Sequence, residues 1–189
     1  MVWKVKKKGE MGVGVLIVFI AMLLVAAIAA GVLITTVTSL QQKALTTGQE
    51  TKAEISTHAS FVEVSASDGQ DGDLESLSIL LRLSAGSDPI DLSEVLLTAS
   101  HNNATGNLRY TAGAASATDF SVAYLVNGTE HRTGFLVRGD LVQIDLLPPR
   151  DISEDENVRL TFIPKIGTQS VVEFRTPTVI SRKDIVLFP

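Results

Sequence analysis

The sequence predicts an α+β protein: a long N-terminal α-helix followed by an antiparallel β-sandwich of immunoglobulin-like type. Two observations carry that prediction. Met11 to Ile34 contains no charged residue, and beyond His58 the apolar residues switch from helical spacing to alternation. Helix–strand alternation is absent, so a nucleotide-binding α/β fold is not expected. Hydrophobic residues make up 45% of the chain but aromatic residues only 5%, so packing must rest on Val, Leu, Ile and Ala.

The first element begins at KKKGEMGVGVLIVFIAMLLVAAIAAGVLI, Lys6 to Ile34. As a helix, Val13 to Ile34 spans about 33 Å, against roughly 30 Å of bilayer hydrocarbon. It can cross a membrane. Lys6, Lys7 and Lys8 hold the leading end in the cytoplasm and place the residues after Ile34 outside. Three readings stay open from the residues alone. A secretory signal would be cut at a small-x-small site such as Ala27-Ile28-Ala29, although this apolar run exceeds the usual length. A single-pass anchor fits the length. The third reading is a cut at Gly9, ahead of the apolar stretch, which removes the charge and leaves the hydrophobic helix at the new amino terminus.

From Thr35 the sequence continues without proline, with Val37, Leu40 and Ala44 at helical spacing and Gln41, Gln42 and Lys43 on other faces. The spacing predicts a helix to about Ser56, roughly 69 Å from Met11 and twice what a membrane needs. A helix apolar all round must be buried in lipid or in other protein. Ala26 and Ala30, like Ala27 and Gly31, stand at the small-xxx-small spacing that lets helix backbones approach. Gly48 costs on the order of 1 kcal/mol against alanine and could mark a bend or an early end.

Strands are expected at Phe61–Val64, Leu77–Leu83, Glu94–Ala99, Phe120–Val126, Leu141–Leu146, Val158–Ile163 and Val171–Phe174, separated by turn-rich segments. Seven or eight short strands in this length suit a sandwich.

The sequence has no cysteine, which removes disulfides, thiolate metal sites and cysteine nucleophiles. Its formal charge is −5, and loss of a leader containing Lys4, Lys6, Lys7 and Lys8 makes the remainder more acidic, which argues against nucleic-acid binding. His58, His101 and His131 are scattered, with no spacing for a metal or a nucleophile–base pair, and no phosphate-binding glycine loop is present. No catalytic, cofactor or metal residue is therefore assigned. The acidic stretch Asp68 to Asp73 has calcium-like chemistry but lacks EF-hand spacing, and reads as a solvated turn. Arg138-Gly139-Asp140 resembles an adhesion tripeptide and reads as a tight hairpin turn. Asn103-Ala104-Thr105 and Asn127-Gly128-Thr129 match the N-glycan acceptor pattern, and Asn127-Gly128 is also a hairpin-turn pair.

The opening KKGEMGVGVLIVFIAMLLVAAIAAGVLI with LQQKA, the central LRLSAGSDPIDLSEV and the ending EFRTPTVISRKDIVLFP together resemble the archaellins, the type IV pilin-like subunits of the archaeal swimming filament. The resemblance spans the chain. It implies that a prepilin-peptidase-like membrane enzyme cuts between Gly9 and Glu10, giving a removed leader (1–9), an assembly helix (10–58) and an outer β-domain (59–189). It also implies self-assembly, alone or with paralogous subunits, from a membrane-inserted precursor into an extracellular filament for swimming and surface adhesion, with an N-linked glycan. Bacterial pilins carry glutamate at the fifth mature position, where this chain has Gly14, so carboxylate-guided docking does not carry over. An adhesive pilus subunit is the neighbouring reading, and a membrane-anchored ligand-binding sandwich the rival from another class. The long helix without a Ser/Thr/Pro stalk favours a filament subunit, because a tethered binding domain gains from a flexible linker.

Overall fold

A computed structural model describes residues 6–67, 69, 72–102 and 104–189, with side chains from Met11 onward. Two compact units divide the chain, the first ending at Glu50 and the second starting at Thr51. Helix α1 runs from Lys6 to Ser56 without interruption at Gly48, where an added Cβ would meet nothing within 4 Å. Ala- and Leu-rich composition sustains the backbone, and threonine hydroxyls fold back onto it: Thr35 Oγ1 donates to the Val32 carbonyl at 2.9 Å and Thr38 Oγ1 to the Ile34 carbonyl at 2.8 Å.

The second unit contains β1 (Ala59–Ala66), β2 (Leu77–Leu83), β3 (Ile90–Asp91), β4 (Leu96–His101), β5 (Ala104–Thr111), β6 (Asp119–Val126), β7 (Phe135–Leu136), β8 (Leu141–Leu146), β9 (Asn157–Ile163), β10 (Ser170–Arg175) and β11 (Ile185–Phe188). Nine of them form one continuous sheet in the order β10-β9-β4-β5-β6-β8-β2-β1-β11, and β3 pairs with β7. All pairs are antiparallel except β5 with β6. The sheet rolls over so that its halves face each other like the two layers of a sandwich. Near the closure Thr168 N–H donates to the Thr57 carbonyl at 2.9 Å, and Ser170 Oγ donates to the Ala59 carbonyl.

Alternation builds the core. Leu77, Ile79, Leu81 and Leu83 of β2 are buried while Arg82 between them is exposed, and Val158, Leu160 and Phe162 of β9 repeat the pattern. These side chains join Leu97, Leu108, Phe120, Val142 and Ile144 in one cluster, each contributing about 1.5–3 kcal/mol through burial. The strand expected from Glu94 begins at Leu96, because Leu92–Glu94 forms a 3-10 turn capped by Asp91, whose carboxylate accepts the Ser93 N–H at 2.9 Å. Strand β5 was not predicted: within it only Leu108 is fully buried, so no apolar rhythm marks it. The short β3 and β7, and the terminal β11, also lie outside the predicted set.

Residues 56–59 are held by the domain they enter. Ser87 Oγ lies 3.1 Å from the Ser56 carbonyl and accepts the His58 N–H at 3.0 Å. Gly167, at φ +122°, packs so closely that an added Cβ would stand 2.6 Å from the Thr57 carbonyl oxygen.

Candidate assembly and modification surfaces

The first candidate surface is the helix itself. Every residue from Met11 to Lys52 is exposed, and the large apolar side chains from Met11 to Ile34 are between 48% (Ile20) and 73% (Met22) accessible. Such a surface cannot remain in water: a side chain of this size loses about 1.5–3 kcal/mol when left unburied. Ala26, Ala27, Ala30 and Gly31 are open as well, so no steric barrier stops a second backbone from approaching. Gly9 and Glu10 lie in the first two turns of α1.

A second cluster ties together two motifs that stand apart in the sequence. Asp140, the acid of Arg138-Gly139-Asp140, is buried. Its carboxylate accepts the Gly128 N–H at 2.6 Å, the Val137 N–H at 3.2 Å and His131 Nδ1–H at 3.3 Å. The tripeptide is a tight turn, with Gly139 at φ +91° and Asp140 N–H donating to the Val137 carbonyl at 3.0 Å. It is not a hairpin, since β7 pairs with β3 while β8 pairs with β2 and β6. Nor does Asn127-Gly128 close one: residues 127–134 form a longer loop that leads into β7, and Gly128 presses on the turn, where a Cβ would come within 2.4 Å of the Arg138 carbonyl oxygen.

Tyr124 completes the clamp. Its hydroxyl accepts the Gly134 N–H at 2.8 Å and donates to the Phe135 carbonyl at 2.9 Å, and its ring meets His131 edge-on at 4.4 Å. Burial pushes the Tyr124 hydroxyl above its ordinary pKa. With its lone pairs turned to loop N–H groups, the Asp140 carboxylate orders the loop that presents Asn127. Asn127 is exposed, as is Thr129. Asn103 lies outside the described residues, between the end of β4 at His101 and the start of β5 at Ala104; Asp68 and Asp71 of the acidic stretch also lie outside them.

The third cluster is invisible in the sequence. His101 follows Leu97 and Ala99 on the inward face of β4, so alternation carries it into the core. Among the described residues neither ring nitrogen reaches a partner in good hydrogen-bond geometry, the Arg150 backbone being the polar group that bears on the ring, and Nδ1 stands 3.8 Å from Glu156 Oε2. Burial pushes the imidazole pKa down, against the pull of Glu156. Glu156 is held below the usual carboxylate range although burial opposes this, because the Ser153 N–H, the Asn102 side chain, Arg150 and His101 favour its charge. Arg150 Nη2 donates to Glu156 Oε1 at 2.5 Å and Ser153 N–H to Oε2 at 3.1 Å. Among the described residues, no three His, Asp or Glu side chains converge as a metal site would require.

Comparison with known proteins places this architecture. Residues 9–174 match the archaeal-type flagellin family. Flagellin B1 of Methanocaldococcus jannaschii is 34% identical over 96% of this chain and 95% of its own length. Flagellin B1 of Methanococcus voltae is 31% identical over 96% and 95%. The archaeal flagellum of Methanospirillum hungatei shares the fold with a TM-score of 0.71 at 17% identity, over 94% of this chain and 99% of that one. The chain belongs to the archaeal-type flagellin family and is a structural subunit of the extracellular filament with which archaeal cells swim.

Proposed function

We propose that the precursor is cut between Gly9 and Glu10, that residues 10–58 then pack with the same helices of other subunits to form the filament axis, and that residues 59–189 form its outer layer. The subunit acts by assembly, without catalysis. The observation that carries this reading is the uncovered helix: from Met11 to Ile34 it is apolar on every face, and nothing in its own unit buries it. Lipid satisfies it before assembly, and other copies of it afterwards. Removal of the lysine-bearing leader takes away the charges that tie the end to the cytoplasmic face.

The processing enzyme is a prepilin-peptidase-like membrane protease. Relatives named flagellin B1, B2 and B3 coexist in Methanocaldococcus jannaschii, which supports paralogous subunits as partners alongside further copies of this chain. Asn103 and Asn127 are the proposed N-glycan acceptors, and the exposed position of Asn127 on an ordered loop supports the second of them.

Mass and amino-terminal sequence of filaments sheared from cells test the reading. Filament protein starting at Glu10 is expected. A start after Ala29, or an intact Met1 in a detergent-soluble monomer, overturns it.

A further inference from the structure

Asn127-Gly128 is the only Asn-Gly pair in the sequence, and it carries a chemical hazard. Asparagine is a thermolabile residue. Where the residue after it lacks a Cβ, little hinders the next backbone nitrogen from attacking the side-chain amide carbon. The attack forms a bond from Gly128 N to Asn127 Cγ and breaks the bond from Cγ to the amide nitrogen, which leaves as ammonia with the proton that Gly128 N gave up. Water then opens the succinimide ring, at one carbonyl to aspartate and at the other to isoaspartate. Either product erases the amide of residue 127, and isoaspartate also lengthens the loop backbone.

The fold requires this glycine. A Cβ on Gly128 would stand 2.4 Å from the Arg138 carbonyl oxygen and 3.0 Å from the Gly139 carbonyl carbon, so the packing that excludes any larger residue also gives Asn127 its most reactive neighbour. The same contact supplies a restraint. Asp140 is 2% exposed and divides its carboxylate: Oδ2 accepts the Val137 N–H at 3.2 Å and His131 Nδ1–H at 3.3 Å, while Oδ1 accepts the Gly128 N–H at 2.6 Å. The other side of Gly128 is held as well, its carbonyl accepting the His131 N–H at 3.3 Å.

We infer that the buried Asp140 carboxylate locks Asn127-Gly128 against succinimide formation and so preserves the amide of residue 127. Cyclisation needs Gly128 N to give up its proton and its peptide plane to swing toward Asn127 Cγ. The carboxylate opposes both. An anion 2.6 Å from the nitrogen raises the cost of placing negative charge there, and a charge-assisted hydrogen bond, about twice as strong as a neutral one, must break before the plane turns. A carboxylate is also too weak a base to keep an amide proton, so its place beside the N–H restrains the nitrogen without activating it. The lock holds whether or not a sugar is attached; only its value to an N-glycan acceptor rests on the reading of Asn127 above.

The test uses the full chain, made in a host without N-glycosylation and held in detergent, with deamidation of Asn127 followed by peptide mass in mildly alkaline buffer, folded and in urea. The folded native chain is expected to react at least about tenfold more slowly than the unfolded one, the span that loss of a hydrogen bond to a charged group allows. Asp140→Ala should lose that protection. Asp140→Asn, which keeps the shape of the turn and removes the charge, should react severalfold faster than the native chain and decides the matter if Asp140→Ala does not fold. Tyr124→Phe removes the bonds to Gly134 and Phe135 without touching the Gly128 N–H, and should stay protected. Equal rates in the folded and unfolded native chain, no acceleration in Asp140→Asn, or equal loss of protection in Tyr124→Phe overturns the lock. Native filaments whose Asn127 carries no sugar overturn the acceptor reading and leave the lock standing.

Discussion

The helix of residues 11–50 and the β-domain of residues 51–189 solve the burial of apolar surface in opposite ways. The domain turns Phe120, Phe162, Leu97 and Leu108 inward and leaves none of their surface to water. The helix buries nothing: Leu23, Leu24, Ile28 and Leu33 all remain exposed. One unit carries its partner surface in its own sequence, and the other must find it in lipid or in other copies. A filament subunit needs both, because a segment that satisfied itself would have no reason to assemble.

The sharpest way to break this contrast is a charge on the helix. Val18→Lys or Ile28→Asp should abolish filaments while the domain melts as before, since a charge at the centre of a membrane helix costs roughly 2.5–3.5 kcal/mol. Electron microscopy of sheared material and calorimetry of the purified chain read the two effects separately. The converse change is Phe162→Ala, which opens a cavity in the domain core and should destabilise it by about 3–5 kcal/mol, seen as a lower melting temperature with helix insertion unaffected. Asp140→Ala strands the N–H groups of Gly128 and Val137 and should cost about 2–3 kcal/mol, with protease nicking concentrated in residues 127–140.

Acid should also act on the domain alone. His101 has a folded pKa below its ordinary 6.5, so the unfolded chain binds the proton more readily. The stability held above that value is lost as pH falls through it and on toward the folded value. Glu156, also lowered, adds a loss as pH falls from its ordinary 4.5 toward its folded value. A melting temperature that declines from pH 7 to 5 in the native chain but stays flat in His101→Leu is the expected result. Least of all should follow from Glu173→Gln, which removes an ion pair with both partners more than half exposed and costs no more than about 1 kcal/mol by thermal melting.

Legibility followed the range of the interactions. The helix was readable because an uncharged run and a 3.6-residue rhythm are local properties, and β2, β8 and β9 because strict alternation announces one buried face. Strand β5 was not, since Thr105, Asn107 and Arg109 face solvent and what makes it a strand is hydrogen bonding to β4 and β6. Asp140 read as a turn residue, and its burial depends on Gly128, Val137 and His131 converging on it.

By itself, then, the sequence determined the long apolar rod, the change to a β-domain, the lack of cysteine chemistry and the acceptor tripeptides, because each depends on neighbours within a turn or a strand. Tertiary structure alone decided the rolled nine-stranded order and the burial of His101 beside Glu156. Those arrangements join residues far apart in the chain, and only the closing of the sheet brings such residues together or holds them apart.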